Sequence, residues 1–156
     1  MIFCLSIMAY AQTPQDRATE LKKQAQSSLN QKDYIKARYL FKKAYEAFAS
    51  RENYPQAIEC GVQANALYVR ENFYKEGFEL CRDMEQLLWT GEQNKKKVFY
   101  DLRFLINKER LQMYTALKNP AQAKIQLDKL EEMANLAKND SLTEVLLYTK
   151  ANYYYT

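Results

Sequence analysis

Three segments of this 156-residue chain repeat one pattern of apolar and polar positions. They cover residues 32–48, 72–88 and 118–134, and they align without gaps at spacings of 40 and 46 residues. In each segment, small or apolar residues fall at i, i+4, i+7 and i+11, which places them on one face of an α-helix. The aligned positions are Ala37, Phe41, Ala44 and Phe48, then Gly77, Cys81, Met84 and Leu88, then Ala123, Leu127, Leu130 and Ala134.

A further helical stretch precedes each of these segments, so each repeat consists of two helices. A single helical hairpin cannot hide its apolar faces, and we therefore expect the hairpins to stack on one another. By the same register the fourth unit has only its first helix, because its second helix would begin after residue 156. The matched positions in the four first helices are Ala25, Asn65, Leu111 and Ala151, followed three residues later by Ser28, Tyr68, Tyr114 and Tyr154.

Capping residues divide the chain into seven predicted helices. The helices are expected at about 14–31, 33–50, 54–70, 72–89, 93–117, 119–137 and 141–156, grouped into units 14–50, 54–89, 93–137 and a partial fourth unit 141–156. The signals are Thr13-Pro14, Asp33, Asn119-Pro120, a Ser141-x-x-Glu144 capping box and, as the terminator of the fourth helix, Gly91.

The composition agrees with an all-α fold. Only three glycines and three prolines are present, too few for a many-stranded sheet, and no alternating run of Val, Ile and Thr suggests a strand. The net charge of +4 comes from 23 basic and 19 acidic residues mixed along the helices, as on solvated helix faces. The one basic triple, residues 95–97, lacks an accompanying aromatic stripe, so nucleic-acid binding is a distant alternative.

The N-terminal residues have the features of an export signal. An apolar run from Ile2 to Met8 is followed by Ala9-Tyr10-Ala11, which fits the small-x-small cleavage rule, although no basic region precedes it. We interpret residues 1–11 as a truncated signal peptide, with an apolar N-terminal tail as the alternative. The first interpretation predicts a periplasmic or envelope protein that begins at Gln12, and the second a cytoplasmic protein.

The chain lacks the usual residues of catalysis. It has no histidine, which removes the commonest general base, the triads that use it and His-based zinc sites. Three scattered glycines cannot form a phosphate-binding loop. Cys60 and Cys81 lie within helical patterning, which favours core packing over a disulfide. The sequence therefore predicts a protein that is not an enzyme and that needs no cofactor or metal.

The second helix of each repeat resembles that of the tetratricopeptide (TPR) family, whose consensus carries an A-x3-F pair. Ala37 and Phe41 match this pair. The Trp and Gly of the family's first-helix signature are absent and the units exceed 34 residues, which also fits a related antiparallel repeat with longer helices. The resemblance implies an α-α superhelix whose first helices line a concave surface that binds proteins or peptides.

Transferring the family's groove register to this chain assigns ten candidate binding residues. The family's clamp for a partner's C-terminal carboxylate is not reproduced, because only Lys22 matches it, whereas Gln26, Gln63, Leu105 and Glu109 occupy other clamp positions. The ten candidates are Lys22, Gln26, Asn30, Val62, Val69, Arg70, Lys108, Gln112, Tyr148 and Asn152.

The whole chain after Gln12 looks like the extracytoplasmic TPR regions of bacterial envelope sensor proteins. That resemblance implies an exported sensor-input or scaffold domain that binds a protein or peptide, with a cytosolic TPR adaptor as the alternative. The last predicted helix ends in three consecutive tyrosines, residues 153–155. An uncovered aromatic face there predicts self-association through the C-terminal helix or a missing partner helix.

Overall fold

The computed structural model describes residues 14–155, and within that range it contains seven α-helices and no strand. The all-α prediction is therefore confirmed. The predicted Thr13 cap and the N-terminal segment 1–11 lie outside the described residues. The helices are α1 (Pro14–Asn30), α2 (Tyr34–Ala49), α3 (Tyr54–Arg70), α4 (Tyr74–Lys95), α5 (Tyr100–Ala116), α6 (Pro120–Ala137) and α7 (Asp140–Tyr155).

The turns within the three hairpins share one backbone design. Lys32, Asn72 and Lys118 stand at matched positions of the repeat and adopt φ values of 63°, 62° and 53°. After each of them, the next amide donates to the carbonyl five residues earlier, as Asp33 does to Ser28 at 2.9 Å. This is the hydrogen bond that closes a helix in a Schellman motif. The repeat thus extends from the apolar stripes to the backbone of the turns.

Two predicted N-caps are confirmed. The Asp33 and Asn119 side chains each accept a hydrogen bond, at 3.1 Å, from the backbone amide three residues ahead. Each satisfies an amide at a helix start that has no partner within the helix. The predicted capping box at residues 141–144 is wrong, because α7 already begins at Asp140. The Asn139 side chain accepts from the amide of Ser141 instead, at 3.0 Å.

The predicted role of Gly91 is also wrong. Helix α4 continues through Gly91 to Lys95, and α5 begins at Tyr100 rather than at residue 93. Gly91 is buried inside α4, where a Cβ atom would lie 2.5 Å from Cζ of Tyr54. Lys96, with φ of 48°, ends the helix in its place. Gly91 therefore serves the close approach of α3 and α4 and does not terminate a helix.

The three apolar stripes form the core, as their register predicts. All twelve stripe positions are buried. All of them except Gly77 belong to one of two hydrophobic clusters, the first spanning α1 to α5 and the second spanning α5 to α7. Helix α3 contacts both α4 and α5, and α5 contacts both α6 and α7, so the first helices of the second, third and fourth units lie side by side. Cys60 and Cys81 are buried and unbonded, and burial raises the pKa of both thiols to about 12, which confirms a packing role.

Candidate binding groove between α5 and α7

A groove of about 680 Å³ lies between α5 and α7, the first helices of the third and fourth units. Its volume falls in the range of ligand-binding clefts. Four of the ten sequence-derived candidates line it: Lys108 and Gln112 from α5, and Tyr148 and Asn152 from α7. The structure therefore brings together the candidates of the last two units in a single groove.

The lining is mainly apolar. Leu111 forms a buried part of the wall on α5, while Val145 and Tyr148 contribute exposed surface from α7. The two threonines of the groove donate their hydroxyl protons to carbonyls of their own helices, Thr115 to Leu111 at 2.8 Å and Thr149 to Val145 at 2.7 Å. Since those donors are already used within the protein, the two hydroxyls offer a ligand only their acceptor lone pairs.

Polar side chains stand on both helices around this apolar lining. Lys108 and Gln112 lie on α5, and Glu144 and Asn152 lie on α7. Such groups can hydrogen-bond a ligand backbone while the apolar lining buries its side chains. The arrangement suits a peptide segment with apolar residues better than a small charged metabolite.

The other six candidates lie outside this groove. Lys22 pairs with Glu59 at 2.7 Å and donates to Gln56 at 2.9 Å, so it links α1 to α3. Gln26 donates to Asn30 on the same helix at 3.1 Å. Val62 and Val69 are partly buried against the core. Arg70 places its guanidinium 4.1 Å from the centroid of the Tyr34 ring.

Sequence reasoning missed several lining residues. Glu144, Val145 and Thr149 lie on the same face of α7 as Tyr148 and Asn152. Their helical spacing is visible in the sequence, but which residues of α5 and α7 line the groove depends on the distance between the two helices. The remaining lining residues that the register did not assign are Leu111, Thr115, Ala116 and Tyr153.

A buried polar pair joins α3 to α5 inside the fold. The Asn65 amide donates to a carboxylate oxygen of Glu109 at 3.0 Å, and both side chains are buried. Desolvation raises the pKa of Glu109, an effect that the Asn65 hydrogen bond and the charge of Lys108 partly oppose. The TPR resemblance placed Glu109 at a clamp position, but its burial removes it from any ligand-facing surface.

Replacing Glu109 with Gln is expected to change how stability depends on pH. A raised pKa means that the fold favours the protonated carboxyl, so its contribution is complete below the unfolded-state value near 4.5 and is lost as pH rises through the folded-state pKa. Glu109→Gln keeps an acceptor for Asn65 without the charge. Urea unfolding from pH 4 to 8 should show the variant gaining stability over the wild type as pH rises. The exposed Glu79→Gln is the control, and a parallel pH profile for the two glutamine variants would contradict the assignment.

Within residues 14–155, no three Cys, Asp or Glu side chains lie together so that they could hold a metal ion. No helix in that range is long and apolar enough to cross a membrane. Comparisons with protein-family models, with curated proteins and with solved structures give no match for this chain. The class that the fold defines is an all-α protein of repeated helical hairpins, and membership of the TPR family stays a prediction.

Proposed function

We propose that this protein is a non-catalytic helical-repeat module that binds a peptide segment of another protein in the groove between α5 and α7. The observation that best supports this proposal is that one mainly apolar groove is lined by Lys108, Gln112, Tyr148 and Asn152. The groove register of the TPR family, transferred to this chain by resemblance, predicts the same four residues. The absence of histidine from the whole sequence supports the non-catalytic part.

The groove favours a ligand with one or two apolar side chains. An aromatic or aliphatic residue of the peptide would pack against Tyr148 and Val145. The peptide backbone would form hydrogen bonds with the polar side chains of α5 and α7. Aromatic side chains dominate the energetics of such contacts. A role in an exported sensor-input domain rests on resemblance, and the N-terminus of the native protein tests the export: Gln12 as its first residue supports export, and Met1 contradicts it.

Replacing Tyr148 tests the groove directly. Peptides selected from a phage-displayed random library on the wild-type chain should bind Tyr148→Ala at least about tenfold more weakly, because truncating a central aromatic anchor commonly costs 2 kcal/mol or more. Tyr148 is 71% exposed, so its loss should leave the fold intact. Fluorescence anisotropy of labelled peptides measures the dissociation constants.

The matched control is Tyr39→Ala on α2, since Tyr39 is 60% exposed and lies outside the groove. It should bind the selected peptides as the wild type does. Peptides that bind all three proteins equally would place the binding surface elsewhere. A turnover activity that co-purifies with the chain and is lost in Tyr148→Ala would contradict the non-catalytic assignment.

A further inference from the structure

The buried pair of Asn65 and Glu109 lies where the second and third units join. Asn65 is fully buried, and Glu109 is only 3% exposed. At the position equivalent to Asn65, the first and third units carry Ala25 and Leu111, which are also buried. The residue equivalent to Glu109 in the second unit, Gln63, is exposed. Because other units pack with apolar residues at the position of Asn65, the repeat itself does not require a buried polar pair there.

One oxygen atom of this pair has no donor while Glu109 is ionised. The amide nitrogen of Asn65 donates to Oε2 of Glu109 at 3.0 Å, but Oδ1 of Asn65 accepts no hydrogen bond from any residue in the range 14–155. A buried carbonyl oxygen without a donor is destabilising. An ionised carboxylate cannot supply the donor, because it only accepts hydrogen bonds, whereas a protonated carboxyl has an O–H group.

The space around Oδ1 of Asn65 is filled by neighbouring helices. A methyl group placed on Gly77 of α4 would lie 3.0 Å from this oxygen and 2.7 Å from the sulfur of Met113 on α5. The carboxyl of Glu109 is already bonded to the same amide group. A protonated carboxyl and a primary amide can form two hydrogen bonds in opposite directions, N–H to the carboxyl oxygen and O–H to the amide oxygen. The first of these two bonds is present, and a proton on Glu109 would form the second.

The charges near Glu109 do not offset its burial. Desolvation raises the pKa of this carboxyl, while the hydrogen bond from Asn65 and the positive charge of Lys108 lower it by less. Lys108 belongs to the same helix as Glu109, and α3 contributes the uncharged Asn65 to the contact. The balance favours the protonated carboxyl.

Helix α4 supplies no free positive charge to Glu109. Its titratable group there is Cys81, whose pKa burial raises to about 12, so the thiol keeps its proton at neutral pH. The charges of Arg110, Glu109 and Glu85 all act on this thiol, which places them in one neighbourhood. Arg110 is already bonded to Glu85 of α4 through two hydrogen bonds, at 2.6 and 2.7 Å. A proton is therefore the simplest way to neutralise Glu109.

We propose that Glu109 keeps its proton in the folded protein and donates it to Oδ1 of Asn65, so that the contact between α3 and α5 is sensitive to pH. When the carboxyl ionises, this contact loses one of two hydrogen bonds and gains a buried negative charge. The stabilisation is complete below the unfolded-state pKa of about 4.5 and is lost as pH rises through the higher folded-state pKa. The inference is independent of the proposed peptide binding, because neither residue lines the groove.

Carbon-13 NMR of the side-chain carboxyls tests whether Glu109 holds a proton. The resonance of Glu109 is identified by its absence from the spectrum of Glu109→Gln. It should titrate at a higher pH than the resonance of Glu79, which is exposed on α4. A Glu109 carboxyl that titrates together with that of Glu79 would overturn the proposal.

Hydrogen exchange tests the pH sensitivity of the contact. As pH rises, the buried amides of α3 and α5 in the wild type should lose protection beyond the intrinsic pH dependence of exchange. Glu109→Gln should keep its protection, because a glutamine amide forms both hydrogen bonds with Asn65 at every pH. Glu79→Gln is the matched control and should lose protection as the wild type does. Equal pH dependence in the wild type and Glu109→Gln would overturn the proposal.

A double variant tests the pairing of one acid with one amide. Asn65→Asp combined with Glu109→Gln moves the carboxyl to α3 and the amide to α5 without changing the length of either side chain. This variant should regain the pH-dependent protection that Glu109→Gln alone has lost, because the pair again depends on one proton. Circular dichroism establishes that the variant is helical. A folded double variant as insensitive to pH as Glu109→Gln would contradict the reciprocal pair.

Discussion

Replacing Phe104 with Ala should remove about 3–5 kcal/mol from the free energy of unfolding. Phe104 is fully buried in the cluster that joins α5, α6 and α7, together with Leu127, Leu130 and Leu146. The alanine variant loses the transfer free energy of the ring and leaves a cavity among side chains that can collapse only partly. A domain of this size has a total stability of about 5–15 kcal/mol, so the loss is a large share of it. Urea unfolding followed by circular dichroism measures the change.

Trp89→Ala is the control for Phe104→Ala. Trp89 is of comparable size but exposed on α4, and its replacement should change stability by no more than about 0.5 kcal/mol. If Phe104→Ala cost as little as the control, the packing between α5 and α6 would differ from that described. A partial unfolding transition confined to the variant would instead indicate that the last helices come apart before the rest of the chain.

Gly91→Ala should destabilise the protein by about 1–3 kcal/mol, although alanine is the better helix former by about 1 kcal/mol. The added methyl group would lie 2.5–2.8 Å from three atoms of the Tyr54 ring. That ring is buried and packs against Phe99, the residue before α5, with 5.6 Å between centroids, so it cannot move without displacing Phe99. Thermal or urea unfolding measures the change in stability. A loss of stability indicates that the packing clash dominates, and a gain indicates that helix propensity dominates.

A double-mutant cycle identifies the cause of that loss. In a Tyr54→Ala background the ring is gone, and Gly91→Ala should then stabilise the protein through its helix propensity. Gln93→Ala is the control on the same helix, since Gln93 is exposed, and it should have nearly the same effect in both backgrounds. A stabilising effect of Gly91→Ala in the wild-type background would show that α3 and α4 are not in close contact there.

Local features of the fold were readable in the sequence because their causes lie within a few residues. The stripe from Ala37 to Phe48 is a property of helical geometry, and every one of its positions is buried as the spacing predicts. Asp33 and Asn119 cap helices through amides only three residues ahead. The register between units followed from the same stripes, since equivalent positions must meet equivalent neighbours.

The role of Gly91 could not be predicted from the residues around it in the sequence. A glycine near the end of an apolar stripe is typical of a terminated helix, and the residue that changes its meaning, Tyr54, lies 37 positions earlier on a different helix. Likewise, Ser141 and Glu144 fit the capping-box pattern, but α7 begins at Asp140, and the Asn139 side chain accepts a hydrogen bond from the amide of Ser141. The contact of Gly91 with Tyr54 cannot be recognised from local spacing, whereas Asn139 and Ser141 are neighbours and either could have begun the helix.

The sequence by itself determined that the chain forms repeated helical hairpins and which residues of the second helices face the core. Only the tertiary structure decided which side chains of different helices lie close to one another. It separated Lys22, held by Glu59, from Lys108 in the groove, and it placed Asn65 against Glu109, 44 positions away. Periodicity depends on neighbours along one helix, whereas a groove or a buried pair depends on distances between helices that the chain sets only when it packs.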